Sequence, residues 1–281
     1  MGHDARDVDL SGLIDMHIHT SPDVRPRALD DIEVARQAAA AGMRAVVYKS
    51  HVTCTADRAT IAQKIVPAVR VLGGVTLNDA LGGLNPAAVE AALALGARVV
   101  WMPTTSAHNH IAHHGGEGSG IYLLREDGNL LPVLSDIFDL LRQHDGILAT
   151  GHLSVEEIVP LVLAARDAGV AKVVVTHPEV PWVDMSTTTQ EELRDAGACF
   201  ERCFASTFPG FGGVPMGRMA SDIRQVGLAS TVLATDYGAS VLPPAVEGMR
   251  TYVAALLDAG FSENDILLMG AETPARLLGL E

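Results

Sequence analysis

Short apolar runs alternate with longer amphipathic stretches along this chain, and the alternation predicts an architecture before any residue is singled out. Runs at 13–20, 45–49, 71–77, 99–102, 147–151, 172–176, 198–203 and 231–235 are rich in Val, Ile, Leu and Ala and read as buried strands. Helical patterns lie between them. Asp30 and Asp31 open one that closes at Gly42, residues 57–69 form a second, and Asn85-Pro86 caps a third that ends near Gly96. Ser154-x-x-Glu157 is a capping box for another, and a final helical pair fills 245–280. Most strands recur at intervals of roughly 25 to 33 residues, the period of a (β/α)8 TIM barrel. With no linker in evidence, residues 1–281 read as one α/β domain.

One connection breaks the period. Residues 104–134 enlarge the loop after the fourth strand, and the runs at 121–124 and 130–133 flank Glu126-Asp127-Gly128-Asn129, a strand-turn-strand signal. The expectation is a β-hairpin lid over the barrel mouth, with disorder as the alternative.

Composition narrows the partners. Aromatic residues are only 4% of the chain against 48% hydrophobic, so the core must be built from small aliphatic side chains, as layered helix-on-strand packing allows. A formal charge of −14 with no offsetting Lys/Arg cluster argues against nucleic acid and anionic membranes. The start Met1-Gly2-His3-Asp4 has neither a basic nor an apolar leader region, and the expected location is cytoplasmic. Cys54, Cys199 and Cys203 are odd in number and lack a Cys-x-x-Cys, which argues against a disulfide framework and a structural thiolate zinc site; Cys199 and Cys203 read as small apolar fillers.

Candidate chemistry gathers at the strand ends. Side chains alternate along a strand, so His17 and His19 point one way, with Asp15 below them, and two imidazoles can grip one ion. In a (β/α)8 barrel the reactive groups stand at the C-terminal ends of the strands. Here the first ends in His17 and His19, the second in Lys49 and His51, the fifth in His152 and the sixth in His177; the seventh carries Glu201 and the eighth ends in Asp236.

In that order of motifs the chain resembles the amidohydrolase superfamily of metal-dependent hydrolases, over nearly its whole length and closest to an uncharacterised branch. The match is Leu-Ile-Asp-Met-His17-Ile-His19, Thr-Gly-His152, Val-Thr-His177-Pro and Ala-Thr-Asp236, with closing helices at 261–266 and 274–279. The resemblance implies that His17, His19, His152 and Asp236 ligate a primary metal. It makes His177 a ligand of a second metal or a group that polarises the substrate. A divalent ion, zinc above Mn, Fe or Ni, one or two per chain, would lower the pKa of a bound water to roughly 7. Asp236 would take the proton and return it to the leaving group, unless it serves only as a turn or cap residue. The implied protein is a homo-oligomer.

The chain departs from that pattern at the fourth strand, which ends in Trp101-Met102-Pro103-Thr104 where binuclear relatives commonly carry a carboxylated lysine. Lys49 is the candidate for such a carbamate bridge, against a role in binding a substrate carboxylate or in an inner salt bridge. His51 is a ligand, a substrate contact or a loop-packing residue, and Glu201 a supporting carboxylate, a general acid or a substrate contact. Arg25 and Arg27 suit a substrate carboxylate or phosphate, with solvated loop charge as the alternative. Of the four histidines in the inserted loop, His108 and His110 are expected to face the mouth, and His113 and His114 to be polar filler. The expected function is hydrolysis of a small-molecule C–N or C–O bond (amide, cyclic amide or lactone). The alternatives are a metal-dependent decarboxylase, a phosphoesterase, or a barrel that binds metal or ligand without chemistry.

Overall fold

Each apolar run forms a strand where the pattern puts it. A computed structural model describes residues 3–116 and 118–281 of the chain; Met1 and Gly2, part of the start read above, lie outside them. The strands are β1 (Ile14–His19), β2 (Ala45–Lys49), β3 (Arg70–Leu72), β4 (Gly74–Thr76), β5 (Val99–Trp101), β6 (Ile147–Ala149), β7 (Lys172–Thr176), β8 (Ala198–Cys203) and β9 (Thr231–Ala234). Every ladder is parallel. They form two sheets, β1-β2-β3 and β4 to β9 in chain order, because the third predicted strand is interrupted at Gly73.

Thr55 explains the interruption. Its hydroxyl donates to the Tyr48 carbonyl at 2.7 Å and accepts from the Gly74 N–H at 2.9 Å, while its own N–H donates to the Gly74 carbonyl. A threonine therefore stands in for one rung between β2 and β4. The other seam joins the ends of the chain: the Asp236 N–H donates to the His17 carbonyl and the His19 N–H to the Tyr237 carbonyl, and Ile18 and Tyr237 form a parallel bridge. Buried Asp15 reinforces it by accepting from the Thr235 hydroxyl at 2.5 Å and from the Thr235 N–H at 3.1 Å. Eight staves in this order trace the TIM-barrel course.

The helices are α1 (Asp31–Ala40), α2 (Ala56–Ile65), α3 (Pro86–Ala94), α4 (His108–His114), α5 (Val133–Gln143), α6 (Val155–Asp167), α7 (Thr187–Asp195), α8 (Met216–Val226), α9 (Ala245–Asp258), α10 (Glu263–Leu267) and α11 (Thr273–Leu278). A capping box opens α6 at Ser154 and Glu157, as the spacing predicts, and another opens α1 at Asp30 and Glu33. The second helix ends earlier than its pattern, at Ile65, because Pro67 forces Val66 out of the helical region. The final pair is α9 and a segment broken by a π-turn at 268–272. No helix among the described residues is long and apolar enough to cross a membrane.

Inside the ring, Ile14, Met16, Val47, Trp101, Val174 and Val232 pack against Leu277 and Leu278 of α11, which close the end of the barrel opposite the site. Ile18 belongs instead to the outer layer with α1 and α9. The register of β1 against β2 slips between Asp15 and Ile18. The slip lets Met16 and His17 both face inward, so Asp15 does not share the face of the two histidines, as simple alternation predicts; it turns sideways to Thr235.

The inserted segment also differs from expectation. Its hairpin is reduced to one antiparallel bridge, Leu124 to Leu130, and its root is held on the outside of the barrel, where the Leu123 N–H donates to Glu157 of α6 at 3.0 Å. The part that covers the mouth is helical, α4, seated by the Asn109 amide on the carbonyls of His152 and Trp182.

Candidate active site

The rings of His17 and His19 converge on one oxygen. His17 Nε2 lies 3.0 Å and His19 Nε2 3.1 Å from Asp236 Oδ1. The bulge in β1 aims both rings, and Asp236 reaches them because its backbone leaves β9 in the left-handed region, at φ +53°. His177 leaves β7 the same way, at φ +32°. Two glycines make these turns passable. A Cβ on Gly238 would lie on the His19 carbonyl, and one on Gly151 would lie 2.5 Å from the carbonyl oxygen of Met102, so the chain before His152 and after Asp236 must be bare.

Behind this convergence stand three buried polar groups. Glu201 Oε2 is 3.0 Å from His17 Nδ1, so one edge of the ring is held while the other faces Asp236. Lys49 Nζ lies 2.9 Å from His17 Nε2 and 5.2 Å from the centre of the Trp101 ring. Cys203 Sγ lies 3.8 Å from His17 Nδ1, and Cys203, His17 and Asp236 together form a set able to hold a cation. The two carboxylates dominate the field here. Burial opposes charge on His17, but Asp236 and Glu201 outweigh burial and raise its pKa to about 9. Burial pushes Asp236 up, yet the His17 and His19 rings hold it well below the usual carboxylate range. The centre attracts positive charge.

The remaining imidazoles are kept neutral. Burial lowers His19 and His177 to about 3 and takes His51 and His152 well below their ordinary value. Neutral imidazole is the form that offers a lone pair to a metal. The Nδ1 atoms of His19 and His177 are buried without a protein partner among the described residues. An N/N/O set converging at hydrogen-bond distance, one ring backed by a carboxylate and a further pair of neutral rings at hand fit a divalent ion.

Over these groups lies a cavity of about 420 Å³ lined by His19, His51, His152, His177 and Asp236, with Trp182 as one wall. His152 and His177 stand with ring centres 4.9 Å apart. The lid helix contributes His110, whose Nδ1 is 2.8 Å from His152 Nδ1. His51 is fixed through Thr104, 2.8 Å from its Nδ1, and Thr104 in turn is held by the Asn78 amide.

Several sequence-based assignments change. His108 does not face the mouth; its ring turns out to the Ser119 carbonyl at 2.5 Å and packs on Tyr122. His114, expected to be filler, lines the cavity and stacks on His110 with ring centres 4.2 Å apart, while exposed His113 lies tilted against Trp182. Glu201 is sealed behind His17 and cannot touch a ligand, and Lys49 likewise does not line the cavity. Arg25 and Arg27 both line it. Cys199 is a buried filler as expected, but Cys203 belongs to the centre. Cys203 was legible in one respect: it sits two residues past Glu201 on the same strand, and so on the same face. Trp182 and Asn78 carried no such signal.

The fold is that of the amidohydrolase barrels. Among solved structures, an amidohydrolase from Pseudomonas aeruginosa superposes with a TM-score of 0.65 at 14% identity, covering 95% of each chain. A probable dipeptidase, PvdM, from the same organism gives 0.67 at 11% identity over 95% of this chain and 94% of its own. A putative 2-pyrone-4,6-dicarboxylic acid hydrolase from Pseudomonas putida gives 0.64 at 15% identity over 98% and 99%. The chain itself belongs to a family of unknown function, DUF6282, whose model matches residues 12–201. No curated protein matches it.

Proposed function

We propose that this protein is a metal-dependent hydrolase that cleaves a C–N or C–O bond of a small molecule, an amide, cyclic amide or lactone. The observation that carries the reading is the convergence of His17 Nε2 and His19 Nε2 on Asp236 Oδ1 at the floor of an open cavity. Zinc suits this nitrogen and oxygen donor set, with His152 as the further ligand. The ion, when bound, supplies the Lewis acidity that makes water a nucleophile near neutral pH.

The chain's own residues do the rest. Glu201 fixes the His17 ring by accepting from its Nδ1. Asp236, held anionic and facing the cavity, accepts the proton of the attacking water and returns it to the departing nitrogen or oxygen. His177, neutral and with a cavity-facing ring, aligns the carbonyl that is attacked. His110 and Trp182 roof the bound molecule and exclude bulk water.

Elemental analysis of chelator-free wild type and Lys49→Ala, combined with a screen of amides and lactones, tests the reading. At least one divalent ion per chain and metal-dependent turnover are expected, with Asp236→Asn reducing turnover by about a thousandfold or more. Two ions falling to one in Lys49→Ala would assign Lys49 a bridge, and an unchanged count would leave it as a buried cation beside His17. Wild type that takes up no ion on titration would overturn the proposal.

A further inference from the structure

We propose that the cavity contains an anion subsite built on Arg27 and Arg25, and that the substrate is a small carboxylic acid whose carboxylate docks there. The inference rests on the reading of this cavity as the active site and specifies what enters it.

Arg27 is not a loosely solvated loop charge. Its side chain is only 6% exposed and that of its partner Asp23 only 1%. Asp23 Oδ2 accepts from one terminal nitrogen of Arg27 at 3.0 Å, and its other oxygen accepts from the Arg25 main-chain N–H at 3.0 Å. A guanidinium whose sole task was to tie down the loop would lay a two-nitrogen fork on the carboxylate. Here the carboxylate is divided between a side chain and the main chain. The Arg27 Nε–H is left buried, without an acceptor among the described residues, in a side chain that lines the cavity. A buried donor in that condition is costly unless something else supplies the acceptor.

The position of Arg27 is registered to the reacting groups. Arg27 forms an antiparallel bridge with Ala239, and the Ala28 N–H donates to the Gly238 carbonyl at 2.9 Å, so the guanidinium is stapled to the segment that begins at Asp236. Arg25 lines the same cavity, and its side chain makes no ion pair among the described residues.

Charge selects the ligand. On this loop two guanidiniums face the single carboxylate of Asp23, and one positive charge in excess of it matches a monoanionic carboxylate better than a doubly charged phosphate. The buried Arg27 N–H and the exposed Arg25 guanidinium can take the two oxygens of a carboxylate, and the former sets the distance to the bond being cut.

Calorimetric titration of the metal-loaded protein with benzoate and with N-acetylglycine, each beside its primary amide, and with inorganic phosphate, tests the assignment. The acids are expected to bind at least tenfold more tightly than their amides. Arg27→Gln should remove most of that preference with metal content unchanged, and Arg27→Lys should restore part of it. Equal affinity of acid and amide for wild type would overturn the subsite without recourse to any variant, as would an unaltered preference in folded Arg27→Gln. Phosphate binding tenfold more tightly than either acid would overturn the carboxylate assignment. Acid preference in a protein that holds no metal and hydrolyses nothing would sink the hydrolase reading and leave the subsite standing. Hydrolysis without acid preference would do the reverse.

Discussion

Two of the inner imidazoles are held through Nδ1, His17 by Glu201 behind it and His152 by His110 of the lid helix. For His152 to present Nε2 to an ion, its Nδ1 must carry the proton and His110 must accept it, which fixes the tautomer of both rings. His110→Ala should therefore weaken metal affinity by about 10- to 100-fold in a competition titration against a chelating dye, and His110→Asn, whose amide oxygen can accept, should recover most of it. Unchanged affinity in the alanine variant would show that His152 needs no holder. The same titration on Glu201→Gln should give a loss of similar order, since the amide keeps a partner for His17 but removes one of the two carboxylates that draw charge to the centre. At this scale, the residues that close predicted strands were legible in the sequence, because a barrel assigns chemistry to strand ends. Trp182 and Asn78 were not, since they meet the site only through loops whose course no periodicity encodes, and His114 was not, since it reaches the cavity only through the seating of α4.

Strands and helices fix these side chains through a few sharp local features. Gly238 must pass beneath the His19 carbonyl, so Gly238→Ala should displace either β1 or the Asp236 turn and cost about 3 kcal/mol or more in a denaturant titration, with metal binding lost in whatever folds. The loop after β7 is locked to β8 by a fully buried ion pair between Glu179 and Arg202, flanking His177 and Glu201 in the sequence. Removing one partner, as in Arg202→Met, strands a charge and should cost about 3–5 kcal/mol, whereas Glu179→Leu combined with Arg202→Met should recover much of that loss. Chemical denaturation of the single and double variants checks both. Element existence was readable from apolar runs, and the capping boxes from their spacing. The bulge in β1 and the Thr55 wedge were not: a one-residue slip leaves the apolar pattern intact, and a threonine that replaces a ladder rung looks like any loop threonine. The lid was placed in the right connection but assigned the wrong element. The turn sequence at 126–129 signals a hairpin locally, while the seating of α4 depends on carbonyls of His152 and Trp182, far away in sequence.

For the molecule as a whole, an ion that binds only the folded chain must stabilise it by mass action. Adding zinc to chelator-treated protein at about 100 times its dissociation constant should raise stability by about 2.7 kcal/mol, seen as a melting shift of several degrees, and Asp236→Ala should abolish most of the shift. The seam described above has a further consequence for how the protein is made. Asp15 and Thr235 are 220 residues apart in sequence, and His17 meets Asp236 across the same junction. During synthesis the first two imidazoles leave the ribosome long before the carboxylate that faces them, and closing so long a loop is among the slowest contacts a chain makes. Two histidines on one unpaired strand hold an ion only weakly, so full affinity arrives with the last stave. On the proposed function, metal loading would report completion of the chain, and a product truncated before Asp236 would forfeit the tightest part of that ion binding.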